Sequence, residues 1–310
     1  IKKGHDLQIS GLPDKTIQQQ IKSETVAILP TDFRGIKPKL IVKEGDNVKI
    51  GSPLFFNKVN PDIKWGSPAC GTVKTIEYGP RRVIQKIEIQ LSDSQESEKN
   101  KKYKNSEIIG LDREVAIDTI LGANIFPFFR QRPFNIIPDP KVIPRDIFVS
   151  AINTAPLAFD QEVVIKENLD SFQAGMDALN TLTSGKVYLT SKTGSVVSSI
   201  QNVETYTIDG PHPAGNVGIQ IHHISHLKPG ENVWTINSQD VIAIGKLFLR
   251  GLYDPMRVIT LAGPCIKEPG HFRVNAGAKI STITNGRMID NEKRIISGDV
   301  LTGRVASDED

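Results

Sequence analysis

A chain of 310 residues has room for two or three domains, each large enough to bury a core of its own. With 38% hydrophobic and 24% charged residues it has the make-up of an ordinary globular protein, which excludes a disordered or membrane-embedded chain. A formal charge of +3 spread over scattered lysines leaves no basic stripe for nucleic acid, and two cysteines are too few for an iron–sulfur cluster, which takes about four thiolates.

Residues 1–35 read as a lead segment. Its start, Ile1-Lys2-Lys3, lacks the apolar core of a secretory signal, and Cys70 and Cys265 stand apart without CxxC spacing, so a reduced, cytoplasmic chain is expected. Residues 36–91 are short alternating strands cut by turns (PKLIVKEGDNV, SPLFFNK, ACGTVKTIEYG, RRVIQKIEIQL), a small β domain. Residues 92–106 (SDSQESEKNKKYKNS) are polar and charged, the composition of a solvated linker.

Beyond the linker the periods alternate. Asp112 to Phe129 is predicted helical, DIFVSAI a strand, Asp160 to Thr183 a helix, and GKVYLT and NVWTIN strands; Ser238 to Arg250 is a helix and RVITLAG a strand. Strands alternating with helices imply βαβ units and a largely parallel sheet, so residues 107–255 are expected to form a Rossmann-like α/β domain. Residues 256–310 return to short β pieces with one helical turn near Lys279 to Thr284, a second small β-rich domain of grasp type. The longest apolar stretches, such as DVIAIGKLFLR, stop well short of the roughly 18 residues of a spanning helix.

Four motifs bear on function. The turns of VKEGDNVKIGSPLFFNKVNPD resemble a biotinyl or lipoyl carrier hairpin with Lys58 at its tip, but Asn57 and Val59 replace the Met or Asp neighbours of a modified lysine, which leaves a carrier-like barrel used as scaffold. Phosphate-binding loops need glycines that let backbone N–H groups approach, and neither GxGxxG nor GxxxxGK[ST] occurs; the nearest substitute, Gly210 to Gly215, carries two prolines that remove donors. His222, His223 and His226 sit close together, and His222 and His226 at i, i+4 would share a helix face, yet they lack the Glu or Cys of a metal site and read as packing or interface residues. No nucleophile or catalytic residue is assigned.

The fourth motif is the most unusual. In a chain only 6% aromatic, Phe126, Phe128, Phe129 and Phe134 alternate with Arg130 and Arg132 within nine residues. Flat rings and guanidinium donors suit a quinone headgroup and equally a protein interface or a core; Phe33 and Arg34 repeat the chemistry on a smaller scale.

Taken together, KGHDLQISGLP, VKEGDNVKIGSPLF, SPACGTV, FRQRPF, GPHPAGNVGIQIHHI, VWTINSQDVIAIGKLF, RVITLAGP and RIISGDVLTG resemble the A-subunit family of sodium-translocating NADH:quinone reductases, from about Lys3 to Arg304. The resemblance implies a carrier-like barrel-sandwich domain, a Rossmann-like domain and a β-grasp, soluble-ligand-binding domain, with a further C-terminal domain absent because the chain stops at Asp310. It also implies a peripheral subunit on the cytoplasmic face of the bacterial inner membrane, docking to partner subunits that hold NADH, flavins and iron–sulfur centres. No cofactor is then bound tightly here, and ubiquinone is the expected ligand. The flavin subunit of respiratory complex I and the C subunit of the ferredoxin-linked pump are similar in layout; their flavin loop reads GxGGAGFPT where this chain has Leu121 to Phe128 (LGANIFPF), and their acidic NGAECEP is replaced by Ser150 to Pro156 (SAINTAP). A stand-alone flavin- or dinucleotide-binding oxidoreductase is the alternative, opposed by the missing glycines.

Overall fold

The computed structural model describes residues 1–289, 293–308 and 310. Eight strands open the chain: β1 (Ile17–Gln20), β2 (Thr25–Ile28), β3 (Pro38–Leu40), β4 (Asn47–Val48), β5 (Pro53–Asn57), β6 (Asn60–Gly66), β7 (Gly71–Tyr78) and β8 (Ile84–Leu91). Two sheets, β2-β8-β7-β4 and β3-β5-β6, form the expected barrel-sandwich. Alternation places Ile87 and Ile89 of β8 inside; consecutive Leu54 and Phe55 of β5, beside a register irregularity, are buried as well, and Phe55 stacks on Trp65 at 4.7 Å. Lys58 and Val59 form the exposed turn between β5 and β6, so the lysine does stand at a hairpin tip.

The remaining elements are α1 (Asn105–Ile108), α2 (Arg113–Gly122), β9 (Arg130–Arg132), β10 (Ile147–Ser150), α3 (Gln161–Glu167), α4 (Leu169–Asn180), β11 (Val187–Ser191), β12 (Glu204–Thr207), α5 (Val217–Ser225), β13 (Val233–Asn237), α6 (Ser238–Arg250), β14 (Met256–Leu261), β15 (Gly270–Asn275), α7 (Ile280–Thr284), β16 (Ile295–Ser297) and β17 (Arg304–Ala306). The central sheet runs β12-β11-β10-β13-β9, parallel except for β9, which pairs antiparallel with β13 at the edge. Its inner strands are buried on both faces, as a parallel sheet covered by helices requires. Helices α4 and α6 pack on one side; α5 covers the other, where Phe148, Tyr188, Ile221 and Val233 form a small core.

Packing of α4 on α6 depends on glycine: a Cβ on Gly245 would lie 1.7 Å from the Ser171 carbonyl oxygen, and one on Gly175 would lie 2.2 Å from that of Val241. Gly251 ends α6 in the left-handed conformation with φ of 67°, the usual helix stop. The third sheet is β1-β15-β14, with β1 parallel to β15, and β16 pairs with β17 as a separate ribbon.

Three expectations differ from the fold. Residues 1–35 do not simply lead in, because β1 belongs to the third sheet and β2 to the first. Residues 92–106 are not a free linker: Ile50 N–H donates to Glu96 O and Glu98 N–H to Ile50 O, both at 2.9 Å, while Asn100 and Tyr103 donate to Gly251 O and Phe248 O at 2.8 Å. Polar side chains there serve the solvent side of a backbone tied down on the other. Both long predicted helices are also shorter. Asn124 at φ of 58° and the donor-less Pro127 end α2, and between α3 and α4 the Asn168 side chain donates to Val164 O at 2.9 Å, competing with the helical bond.

Candidate functional site

The strand β13 delivers α6 into a junction with the third sheet. Asn237 caps the helix, its Oδ1 accepting from Asp240 N–H at 2.9 Å, and its side-chain amide also donates to the Asp240 carboxylate. Gln239 on the same turn clips β14 alongside, donating to Val258 O at 2.8 Å and accepting from Val258 N–H at 2.9 Å. The clip sets Arg257 against Asp240, with 2.7 Å between guanidinium nitrogen and carboxylate oxygen. Phe128 lies 4.9 Å from the Arg257 guanidinium, within cation–π range. Buried Tyr253 packs 6.1 Å from Phe128.

These charges are largely buried, with the Arg257 and Asp240 side chains only 18% and 10% exposed. Burial works against the Arg257 charge, but Asp240 and Tyr253 outweigh it and keep the guanidinium above its ordinary pKa. Burial pushes the Asp240 carboxyl up, opposed by Arg257 and Arg130, and pushes the Tyr253 phenol up as well. The pair at 2.7 Å is the ionised arrangement that a buried acid beside an arginine adopts.

A cavity of about 1010 Å³ opens beside this pair, at the top of the size range of small-molecule sites. Phe128, Phe159, Ile259 and Leu261 give it apolar walls, Asp240, Arg257 and Thr260 give it polar points, and exposed Lys293 and Arg294 stand on its lining. A second cavity of about 290 Å³ shares Gln239, Arg257 and Val258 with it, so the clip is the partition between them. Behind the wall lies His271, fully buried, its Nδ1 2.9 Å from Thr260 Oγ1.

The eight aromatic and arginine residues singled out in the sequence separate in space. Phe126 and Phe129 are fully buried around Trp234, at 5.7 and 5.3 Å, and belong to the core. Arg130 donates to the carbonyl oxygens of Pro127 and Phe129 and lies 5.9 Å from the Phe33 ring; Arg132 Nε donates to Thr235 Oγ1 at 3.4 Å. Burial lowers the pKa of both guanidinium groups. Phe33 packs edge-on to Trp65 at 5.2 Å, Arg34 is exposed, and Phe134 is 68% exposed on the outer loop. Only Phe128 of the eight lines the cavity.

The other motifs settle as follows. His226 caps α5 outside the helix, and among the described residues no group of three or more His, Cys, Asp or Glu is arranged for a metal. The loop at Asn124 holds the barrel-sandwich: its side chain donates to Gly51 O at 2.9 Å and its carbonyl accepts from Gly66 N–H at 3.1 Å. Sequence reasoning missed Asp240, Arg257, Thr260 and His271. An Asn followed three residues later by an acid at a helix start was a visible signal for Asp240, but its partner sits on the next strand, where spacing gives no hint.

Comparisons with known proteins agree along the chain. Residues 1–92 match the family described as the NqrA N-terminal barrel-sandwich hybrid domain, 111–253 the NqrA second alpha/beta domain, and 258–308 the NQRA C-terminal domain. Two relatives that bear the name of the A subunit of Na(+)-translocating NADH-quinone reductase are similar almost end to end. The one from Marinomonas sp. is 40% identical over 306 residues, 99% of this chain and 68% of the relative; that from Saccharophagus degradans is 39% identical over 309 residues, 99% and 69%. A solved NAD+-reducing [NiFe]-hydrogenase in the air-oxidized state aligns with 63% of this chain and 41% of its own at 12% identity and a TM-score of 0.44, a likeness too loose to carry an argument.

Proposed function

This chain belongs to the family of A subunits of Na(+)-translocating NADH-quinone reductase, and from that premise we propose that it is a peripheral subunit that docks to its partners and offers its cavity to the quinone. Membership makes it part of an oxidoreductase complex with other subunits as partners. The rest is our reading. The parallel central sheet is taken as Rossmann-like and the β1-β15-β14 unit as a β-grasp, soluble-ligand-binding domain on the cytoplasmic side. NADH, flavin and iron–sulfur chemistry is assigned to the partners.

One observation carries the quinone reading: a cavity of about 1010 Å³ with apolar walls in which the Arg257 guanidinium sits over Phe128 beside Asp240. A flat ring can lie against Phe128 while the guanidinium faces its carbonyl oxygen. The ligand is thereby moved from the whole FRQRPF run to the single phenylalanine of that run on the cavity. A stand-alone flavin enzyme is disfavoured because the Asn124 side chain, bonded to Gly51 O at 2.9 Å, fills the loop where glycines would admit a phosphate.

Equilibrium binding of a short-chain quinone to the purified chain tests this. Binding is expected to saturate, Phe128→Ala to weaken it about tenfold, and Phe134→Ala to leave it unchanged. Loss with Phe134→Ala alone would move the ligand to the outer loop, and a folded sample without saturable binding would leave a docking scaffold.

A further inference from the structure

The Thr260–His271 pair supports a finer assignment, which rests on the cavity being the ligand site. Thr260 of β14 and His271 of β15 are directly opposed across the antiparallel ladder, so their side chains stand on one face. Thr260 lines the cavity. His271 lies behind it, fully buried, with Nδ1 2.9 Å from Thr260 Oγ1, Nε2 without a partner, and Phe159 set edge-to-face at 5.4 Å.

A neutral imidazole carries one proton on one of its two nitrogens. Were Nδ1 to accept from the Thr260 hydroxyl, the proton would sit on Nε2, and a buried N–H would be orphaned, the rarer and costlier defect. With the proton on Nδ1 the ring donates to Thr260 Oγ1, and only a lone pair is left bare. That arrangement uses the hydroxyl as acceptor and frees its own proton, for which no second acceptor exists among the described residues. The open direction from Thr260 is the cavity it lines.

We infer that the Thr260 hydroxyl is the hydrogen-bond donor with which the cavity recognises a carbonyl oxygen of its ligand, and that His271 is the positioning residue fixing that hydroxyl. Burial lowers the imidazole pKa against the pull of Asp160 and Asp14, which keeps the ring neutral at pH 7. Arg257 is a second donor on the same lining and its charge is balanced by Asp240, so the two donors suit an uncharged flat ring with carbonyl acceptors.

Two measurements on the full chain decide it. Nitrogen-15 NMR of the imidazoles, with His271 assigned by its loss in His271→Gln, is expected to show the proton on Nδ1; a proton on Nε2 overturns the assignment without reference to any ligand. Binding of a short-chain quinone is then compared with that of its dimethyl-ether hydroquinone, which lacks carbonyls. Thr260→Val is expected to weaken the quinone about tenfold and leave the ether unchanged, with Thr260→Ser restoring the quinone. If wild type binds quinone and Thr260→Val binds it equally well, the Thr260 assignment fails and the cavity reading stands. If wild type binds no quinone, the cavity reading fails and takes this assignment with it.

Discussion

On one face α6 lies against α4 with backbone on backbone, so tightly that a Cβ at Gly245 would meet the Ser171 carbonyl oxygen at 1.7 Å. Along its first turn the same helix faces a cavity of about 1010 Å³ and holds a carboxylate against a guanidinium. One face leaves no space between the two helices; the other leaves space and must balance the charge it buries. Close packing of apolar surface stabilises without specifying a ligand, whereas buried polar groups cost stability unless paired and so mark the place where recognition is built.

Breaking the polar face should have the largest effect. Arg257→Ala strands the buried Asp240 carboxylate and is expected to cost about 3–5 kcal/mol in urea unfolding, while Arg257→Met combined with Asp240→Leu removes both charges and recovers most of it. A double variant as unstable as the single would mean that the pair contributes more than mutual neutralisation. At the closed face, Gly245→Ala must push the two helices apart and is expected to cost about 2–3 kcal/mol by the same measurement. An unchanged midpoint there would show that α4 can move aside.

A pH scan sharpens the contrast further. His271 titrates at its ordinary 6.5 in the unfolded chain and lower in the fold, because burial disfavours its charge. Protons therefore bind the unfolded state first, and its contribution to stability is complete above about pH 6.5 and declines as pH falls from there toward the folded value. Unfolding midpoints against pH should flatten on that limb in His271→Gln; an identical slope would show that other groups carry it. The smallest effect belongs outside both faces: Phe134→Ala, on the exposed loop, should change stability by less than about 0.5 kcal/mol.

Much of this arrangement was legible locally. The helix expected over Ser238 to Arg250 stands where the sequence places it, capped by Asn237 and stopped by Gly251. The β pieces of the barrel-sandwich and the inner strands β10, β11 and β13 of the central sheet follow their apolar patterns, whereas the polar edge strands β9 and β12 left no such mark. The aromatic run read least well, since Phe126 and Phe129 went to the core, Phe128 to the cavity and Phe134 to solvent. Four phenylalanines look alike in a string, and a 3-10 turn at Phe126–Phe128 followed by a strand sends them in different directions.

By itself the sequence determined the strongly patterned elements, their order and the family, because periodicity and turns are properties of neighbours along the chain. The tertiary structure decided that the third sheet borrows β1, that residues 92–106 are tied to α6, and that Arg257 meets Asp240 and His271 meets Thr260. Those are contacts between elements whose side chains come together only through packing, and a charge far from its partner in sequence carries no mark of which one it will find.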